Sequence, residues 1–520
     1  MRLAPVPATA PPSSTAEERV SEATRTHLRG SSILFAGRLI SLAVNFATQV
    51  LIVRYLSKAD FGAFAYGLSL VTMGQAVSVL GLDKAVSRFL PIYDEQRAHD
   101  RLLGTLVLVV GTVLALGVAF IAVAFGFHSL LGGRVDDAGG ATTVLLILIL
   151  LSPIQALDDV LMGTFAVFSR PRAIFFRKYV LAPGLRLLAI ALVIALHSDV
   201  RALAVGYVLA GAAGVGVYAG VLFSTLRAEG LLARGAPHTL RFPAREIYAF
   251  ALPLVLVDLL AVVMNTSNVV MLGHFGDARE VADYRVVQPA AHLNMLVMTS
   301  FTLLFTPLAA RLFARGDRAG IQDLYWRTAV WLAVCSFPIF AATFALSHSI
   351  TVALFGGRYA ASAAILALLA LGYYFSAALG FNGLTLRVFG LVRYTVAISA
   401  GAAAVNVAVN LLLIPRYGAV GAGVGTCATL VVYNLLKQAG LRRTGIRPFD
   451  RRHARVYAVL AGATAVLAVA QRGLDPGPAF SIALVAAASA AVVALTRRSL
   501  LVADIFPELL RVPLLRRVVT

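Results

Sequence analysis

Apolar residues run through this chain in blocks of about twenty, each closed by a short cluster of Arg, Lys, Asp, Gly or Pro. A block of that length matches a helix crossing the hydrocarbon core of a bilayer, which takes roughly 20 predominantly apolar residues at 1.5 Å of rise each. The pattern predicts fourteen such helices: 32–53, 61–82, 102–126, 142–168, 174–196, 202–226, 247–272, 284–308, 328–347, 360–385, 393–414, 418–437, 455–471 and 478–496. The predicted fold class is therefore all-α, a polytopic membrane protein.

Composition agrees. With 59% hydrophobic and 13% charged residues in 520 and a mean hydropathy of +0.84, the chain carries more apolar surface than one water-soluble core can hide. Cys335 and Cys427 lie in apolar runs without metal-ligand spacing, so they read as packing residues. Taking alternate connections, one side of the membrane collects most of the 45 Lys and Arg, including Arg170/Arg172/Arg177/Lys178 and Arg442/Arg443/Arg447/Arg451/Arg452. The positive-inside rule then puts both termini in the cytoplasm. The net charge of +20 is explained by topology and anionic lipid, and calls for no nucleic acid.

The chain repeats at an offset near 220. "VFSRPR" at Val167 answers "VFGLVR" at Val388, Gly163 answers Gly383, and "RYLSKAD" at Arg54 answers "GHFGDAR" at Gly273. Six spans per repeat is an even number, so the repeats are parallel: two pseudo-symmetric six-helix lobes followed by two C-terminal helices, an architecture common in transporters. The organisation expected is a disordered cytoplasmic tail (1–30), an N-lobe (31–226), an inter-lobe loop (227–246), a C-lobe (247–437), a basic loop (438–454), the last two spans (455–496) and a basic tail (497–520). The short outer connections leave no room for an external catalytic domain; Asp136/Asp137 form the only external acidic pair, and read as solvation of a turn. No phosphate-binding loop or His/Cys cluster stands in the long cytoplasmic loop, so neither an enzyme nor a nucleotide-driven pump is expected.

Charges inside spans are costly, about 2.5–3.5 kcal/mol each on insertion scales, and normally face a cavity or a partner. Arg38 and Arg186 are two such charges; adding 220 lands on Asp258 and Asn406. For Arg38, snorkelling to the headgroups is the alternative. Asp158 and Asp159 on the fourth span read as hydrogen-bonding within the first lobe.

The segments "ILFAGRLISLAVNFATQVLIVRYLSKADFGAFAYGLSL", "LDDVLMGTFAVFSRPRAIFF" and "NLLLIPRYGAVGAGVGTCATL" resemble the polysaccharide biosynthesis flippases of Wzx type. These belong to the multidrug/oligosaccharidyl-lipid/polysaccharide exporter superfamily, with the lipid II flippases and the multidrug and toxin exporters. The resemblance spans about residues 30–440 as a pattern of spans, loops and small residues. It implies a transporter that turns a polyprenyl-diphosphate-linked glycan from the cytoplasmic to the outer leaflet by alternating access. A polysaccharide polymerase and glycosyltransferases would be its partners; nothing demands more than a monomer. A lipid II flippase and a multidrug or cation antiporter are the alternatives within the superfamily, a non-transporting scaffold the one outside it.

On that resemblance Arg38 and Arg186 are the expected diphosphate ligands, since guanidinium is always charged and its fork matches phosphate oxygens. Lys84 and Arg88, at i and i+4 on one helix face, would capture the headgroup at the entrance, or serve only as topological anchors. Coupling to Na⁺ or H⁺ is expected, with no other cofactor. Asp258 with Asn406 and Asn410 would form the cation site; proton coupling through Asp258 alone, or a structural pairing of Asp258 with Arg38, are the competing readings. Forty-one arginines against four lysines suggest a GC-rich bacterial genome, hence a bacterial inner membrane.

Overall fold

The computed structural model describes residues 37–126, 140–167, 175–228, 230, 240–473 and 477–500, and all of their regular structure is helical. The expected tails up to residue 30 and beyond residue 500, the pair Asp136/Asp137, Arg170, Arg172 and half of the inter-lobe loop lie outside the described residues. Among those described, eleven helices are long and apolar enough to cross a membrane. The number is twelve if the bent pair Ala278–Thr302 and Phe305–Ala314 forms one span, against the fourteen that hydropathy predicts. The chain is a multi-pass membrane protein. The expected eleventh and twelfth spans run together in one helical stretch, Val392–Gly440, which breaks at Gly418 (φ 53°).

Helix starts explain part of the internal repeat. After a first helix at 37–55 (α1), α2 (Lys58–Val79) opens on Ser57, whose hydroxyl accepts from the Asp60 N–H at 3.1 Å. After α9 (Ala244–Phe275), α10 (Ala278–His292) opens on Asp277, whose carboxylate accepts from the Glu280 N–H at 2.9 Å. The two caps stand 220 residues apart and satisfy the same otherwise unpaired N–H groups. Between them lie α3 (Leu82–Glu95), α4 (His99–Gly126), α5 (Ala141–Ile149), α6 (Leu151–Val167), α7 (Ala182–Ala195, preceded by a π-helical turn at Phe176–Leu181) and α8 (Val200–Ala228). The C-terminal half continues with α11 (Leu296–Ala314), α12 (Arg318–Ala345), α13 (Ser347–Phe355), α14 (Ala363–Ala378), α15 (Asn382–Val388), α16 (Val392–Gly440), α17 (Ala454–Gly473) and α18 (Pro478–Leu500).

Helix pairing follows the same scheme in both halves: α2 packs on α5 and α6 as α10 packs on α14, and α6 packs on α8 as α14 packs on α16. The last two helices, α17 and α18, pack on α12, where Val456, Leu460 and Val492 join Phe337 and Phe340 in one apolar cluster. Between the halves, α2 lies against α10 and α9. Their approach is close enough that a Cβ on Gly62 would collide with the Ala278 backbone. The end of the bundle rich in Lys and Arg in the alternate-connection count is called here the basic end. At the opposite end the halves are tied by charge: Lys58 meets Asp283 at 2.7 Å, and Ser362 donates to the same carboxylate at 2.7 Å. Arg54 donates to Leu354 O at 2.8 Å and to Ala353 O, while Arg358 donates to Leu56 O at 2.8 Å and to Val53 O. Each guanidinium thus caps the C-terminus of a helix from the other half, where free carbonyls concentrate partial negative charge.

Helix α9 belongs to both halves. Near its start it is held by the first: Glu246 accepts from the Tyr93 hydroxyl at 3.1 Å, and the Tyr248 and Thr112 hydroxyls meet at 2.5 Å. Near its end it packs on α16 of the second. The Gly62 contact yields a stability prediction. Gly62→Ala should destabilise the protein by about 1–3 kcal/mol, because backbone cannot rotate away from the added carbon. Gly216→Ala, where a Cβ meets nothing within 4 Å, should not destabilise it; thermal unfolding in detergent compares the two.

Candidate functional site

Two connected cavities lie between the halves. The first, about 580 Å³, is lined from α1, α2, α7, α8 and α10 and includes Arg186 and Arg285. The second, about 560 Å³, is lined from α1, the π-helical turn, α10 and α11 and includes Arg38 and Lys178. They share Leu42, Asn45, Pro289 and His292, and no Asp or Glu lines either among the described residues.

Arg186 projects from α7 of the first half, Arg285 from α10 of the second. Arg285 donates to Gln288 Oε1 at 2.8 Å and to Ser69 Oγ at 2.5 Å, and its Nε is buried with no hydrogen-bond partner. Hydropathy alone starts this span at 284, because Glu280 and Asp283 depress the average, and so reads Arg285 as a boundary residue. The helix actually begins at Ala278, which sets Arg285 about 10 Å along it at 1.5 Å per residue. The repeat held the missing signal: the cap at Ser57 predicts its counterpart at Asp277.

Lys178 was also hidden, as one of a basic cluster. The π-helical turn Phe176–Leu181 explains its separation from Arg177. π-turns change the side-chain register of a helix and recur at functional sites. Here Arg177 turns into the first half, pairing with Asp158 at 2.7 Å and donating to Gly214 O at 3.0 Å over the Tyr218 ring. Gly214 makes room for it, since a Cβ there would strike the guanidinium. Lys178 and Tyr179 line the second cavity instead.

The structure separates the remaining candidates. Lys84 does not line the two arginine-bearing cavities; its ammonium holds both carboxylate oxygens of Asp258, across the halves. The pair borders a third cavity of about 240 Å³ with Asp83, Asp159 and Gln75. Gln75 donates to Asp159 at 2.6 Å. Arg88 lies over the Phe250 ring at 4.6 Å and lines none of these spaces. The pairing of Asp258 with Arg38, one of the sequence alternatives, is replaced by the pairing with Lys84.

Asp258 is not brought to Asn406 and Asn410. Asn406 Oδ1 accepts from Ser267 at 2.7 Å, its amide donates to Thr429 at 3.1 Å, and Asn410 donates to Asn268 at 2.5 Å. Asn268 in turn donates to Thr426 at 2.6 Å and Tyr284 at 2.8 Å. Asp258 precedes Ser267 by nine residues on α9, about 13 Å along the axis. The amide cluster is thus neutral and separate from the carboxylate. Asn410 Oδ1 is its one buried side-chain oxygen without a donor. Pseudo-symmetry relates equivalent positions, and equivalence does not require contact.

Comparison with known proteins follows the same lines. The family model described as polysaccharide biosynthesis protein matches residues 27–313. An uncharacterized membrane protein of Methanocaldococcus jannaschii is 21% identical over 413 residues, 77% of this chain and 80% of that one. Among solved structures, the lipid II flippase MurJ in an inward closed conformation superposes with a TM-score of 0.68 at 12% identity, covering 91% of this chain and 99% of its own. An inward-facing multidrug resistance MATE family transporter of the MOP superfamily gives 0.63 at 16% identity, covering 78% and 94%. At such identities the likeness is one of fold.

The Lys84–Asp258 pair leads to a second prediction. With side chains 40% and 38% exposed, each single replacement by Ala should cost on the order of 1 kcal/mol. The double replacement should cost no more than the larger single one, because the two share one interaction. Thermal unfolding of the four proteins in the same detergent closes the cycle.

Proposed function

Because the chain belongs to the polysaccharide biosynthesis protein family, we propose that it is a membrane flippase. Its substrate is a polyprenyl-diphosphate-linked oligosaccharide, moved from the cytoplasmic to the outer leaflet of a bacterial inner membrane. The observation that carries this reading is the acid-free cavity between the halves, with Arg186 on one wall and Arg285 on the other. Guanidinium forks donate in pairs to phosphate oxygens and cannot lose their charge. Arg38 and Lys178 extend the same positive lining toward the basic end, so that a diphosphate entering there stays neutralised as it advances. An exporter of organic cations would need carboxylates in this lining, and none stands there among the described residues.

Alternating access gives the contacts at the opposite end their role. Release to that side requires Lys58 to leave Asp283, and Arg54 and Arg358 to leave the carbonyls they cap. Coupling to Na⁺ or H⁺ runs through Asp258, the carboxylate on α9, whose partner Lys84 is on the other half. Opening that seam frees the carboxylate for a cation. Lys84 and Arg88 act at this seam near the entrance, and Asn406 and Asn410 hold α9 to α16. A polymerase and glycosyltransferases would handle the glycan before and after the flip.

Two outcomes test this. In proteoliposomes, wild type should flip a fluorescent polyprenyl-diphosphate oligosaccharide, and Arg186→Ala or Arg285→Ala should each slow flipping at least about tenfold, the scale of a lost charge-assisted hydrogen bond. Export of an organic cation with no lipid flipping would overturn the reading. Asp258→Asn should remove the dependence of flipping on a Na⁺ or proton gradient; an unchanged dependence would move the coupling elsewhere.

A further inference from the structure

Arg186 stands between two spaces. One is the large cavity that it shares with Arg285. The other is a small cavity of about 40 Å³ inside the first half, lined from α6, the π-helical turn, α7 and α8, where its neighbours include Asp158, Gln155 and Arg177. Among the described residues only Arg186 and Tyr207 line both, so their side chains form the partition. The small cavity has room for a few waters or for the end of one long side chain.

The carboxylate in that small cavity is half occupied. Asp158 Oδ1 accepts from Arg177 at 2.7 Å, while Oδ2 accepts no hydrogen bond among the described residues. Arg177 is fixed: its side chain is 6% exposed, it donates to Gly214 O at 3.0 Å and it lies over the Tyr218 ring. The Asp158 side chain, 35% exposed, opens instead on the small cavity. Arg186 itself has no hydrogen bond and no ion pair among the described residues. A guanidinium that is always charged and rides on a flexible stem therefore has a carboxylate oxygen without a donor on one side. On its other side is a cavity that no described carboxylate lines.

Resting on the flippase reading, we propose that Asp158 is a positioning residue for Arg186, taking its guanidinium when the large cavity is empty and yielding it to the diphosphate when substrate enters. Arg177 already balances part of the Asp158 charge, so its hold on a second guanidinium is weaker than that of a lone carboxylate. A diphosphate carries more than one negative charge and accepts from the guanidinium fork in pairs, so it draws Arg186 across the partition. Neither position leaves Arg186 buried without a counter-ion, which is the costly case. The exchange runs backwards at release, when Asp158 competes for the arginine that the substrate must give up. Arg285 differs: Ser69 and Gln288, both neutral, hold it at the large cavity. One half thus contributes a movable arginine and the other a fixed one.

The test measures flipping of a fluorescent polyprenyl-diphosphate oligosaccharide by the full chain in proteoliposomes, with the lipid's concentration varied to separate KM from kcat. Asp158→Asn should lower KM about threefold, the scale of a partly exposed charge contact, and should also lower kcat, because release loses its competitor. In an Arg186→Ala background the same substitution should leave KM unchanged, since the side chain it acts through is gone. Asp158→Glu keeps a partner for Arg177 and carries the carboxylate one methylene further into the small cavity, so it should raise KM; it gives the reading should Asp158→Asn fail to fold. A KM that Asp158→Asn raises or leaves unchanged overturns the proposal, as does one that Asp158→Glu fails to raise. So does a change in KM, from either variant, that persists in the Arg186→Ala background, the signature of a structural role. Wild type that moves no lipid removes the flippase reading itself, and this inference with it.

Discussion

An ion inside a bilayer needs either a partner or water, and the interior of this protein is arranged around that constraint. Arg177 and Asp158 neutralise each other within the first half, at a place where Gly214 gives up its side chain to admit the guanidinium. Lys84 and Asp258 neutralise each other across the seam. Arg285, Arg38 and Lys178 line cavities that no described carboxylate lines, and Arg186 stands between such a cavity and a smaller one it shares with Asp158, so the larger cavities must supply water or an anion. Irregular backbone obeys the same rule. Leu80 and Gly81 break the second span in left-handed conformation, and Gly81 lines the acid-bearing cavity, where freed backbone groups can be hydrated.

The two kinds of polar site divide the labour. Arginine-lined space sits between the halves, where motion of one against the other changes its shape. The neutral cluster of Asn268, Asn406, Asn410, Thr426 and Tyr284 sits inside the second half, joined by hydrogen bonds of 2.5–3.2 Å. These bonds hold α9 to α16, so that the two helices move together. The other end of α9 is held by Tyr93, Thr112 and Lys84 of the first half. Any relative motion of the halves must therefore either bend α9 or break those three contacts, and Pro253 lies within the first-half grip, between Tyr248 and Asp258.

Much of this was legible in the chain. Helical class and membrane residence follow from block length and hydropathy, since a lipid-facing backbone must satisfy its own hydrogen bonds. The parallel repeat followed from an offset of 220, and its physical basis is the pair of caps at Ser57 and Asp277. Arg186 and Arg38 could be singled out because charge in an apolar run is expensive. Arg285 and Lys178 escaped for opposite reasons: the acids before Arg285 moved the apparent start of its span, and the neighbours of Lys178 made it look like one more anchor. The grouping of Asp258 with Asn406 and Asn410 rested on the family resemblance and on the i, i+4 spacing of the two asparagines, and neither fixes the depth of a residue on another helix.

The sequence by itself determined the all-helical, multi-pass class, the internal repeat and which charges are costly, because these depend on local length, composition and periodicity. Only the tertiary structure decided who meets whom. It sent Asp258 to Lys84 rather than to Arg38, turned Arg177 inward and Lys178 toward the cavity across a single π-helical turn, and set Arg285 opposite Arg186. Such choices depend on the rotation and depth of helices packed from distant parts of the chain, and no span carries that information alone.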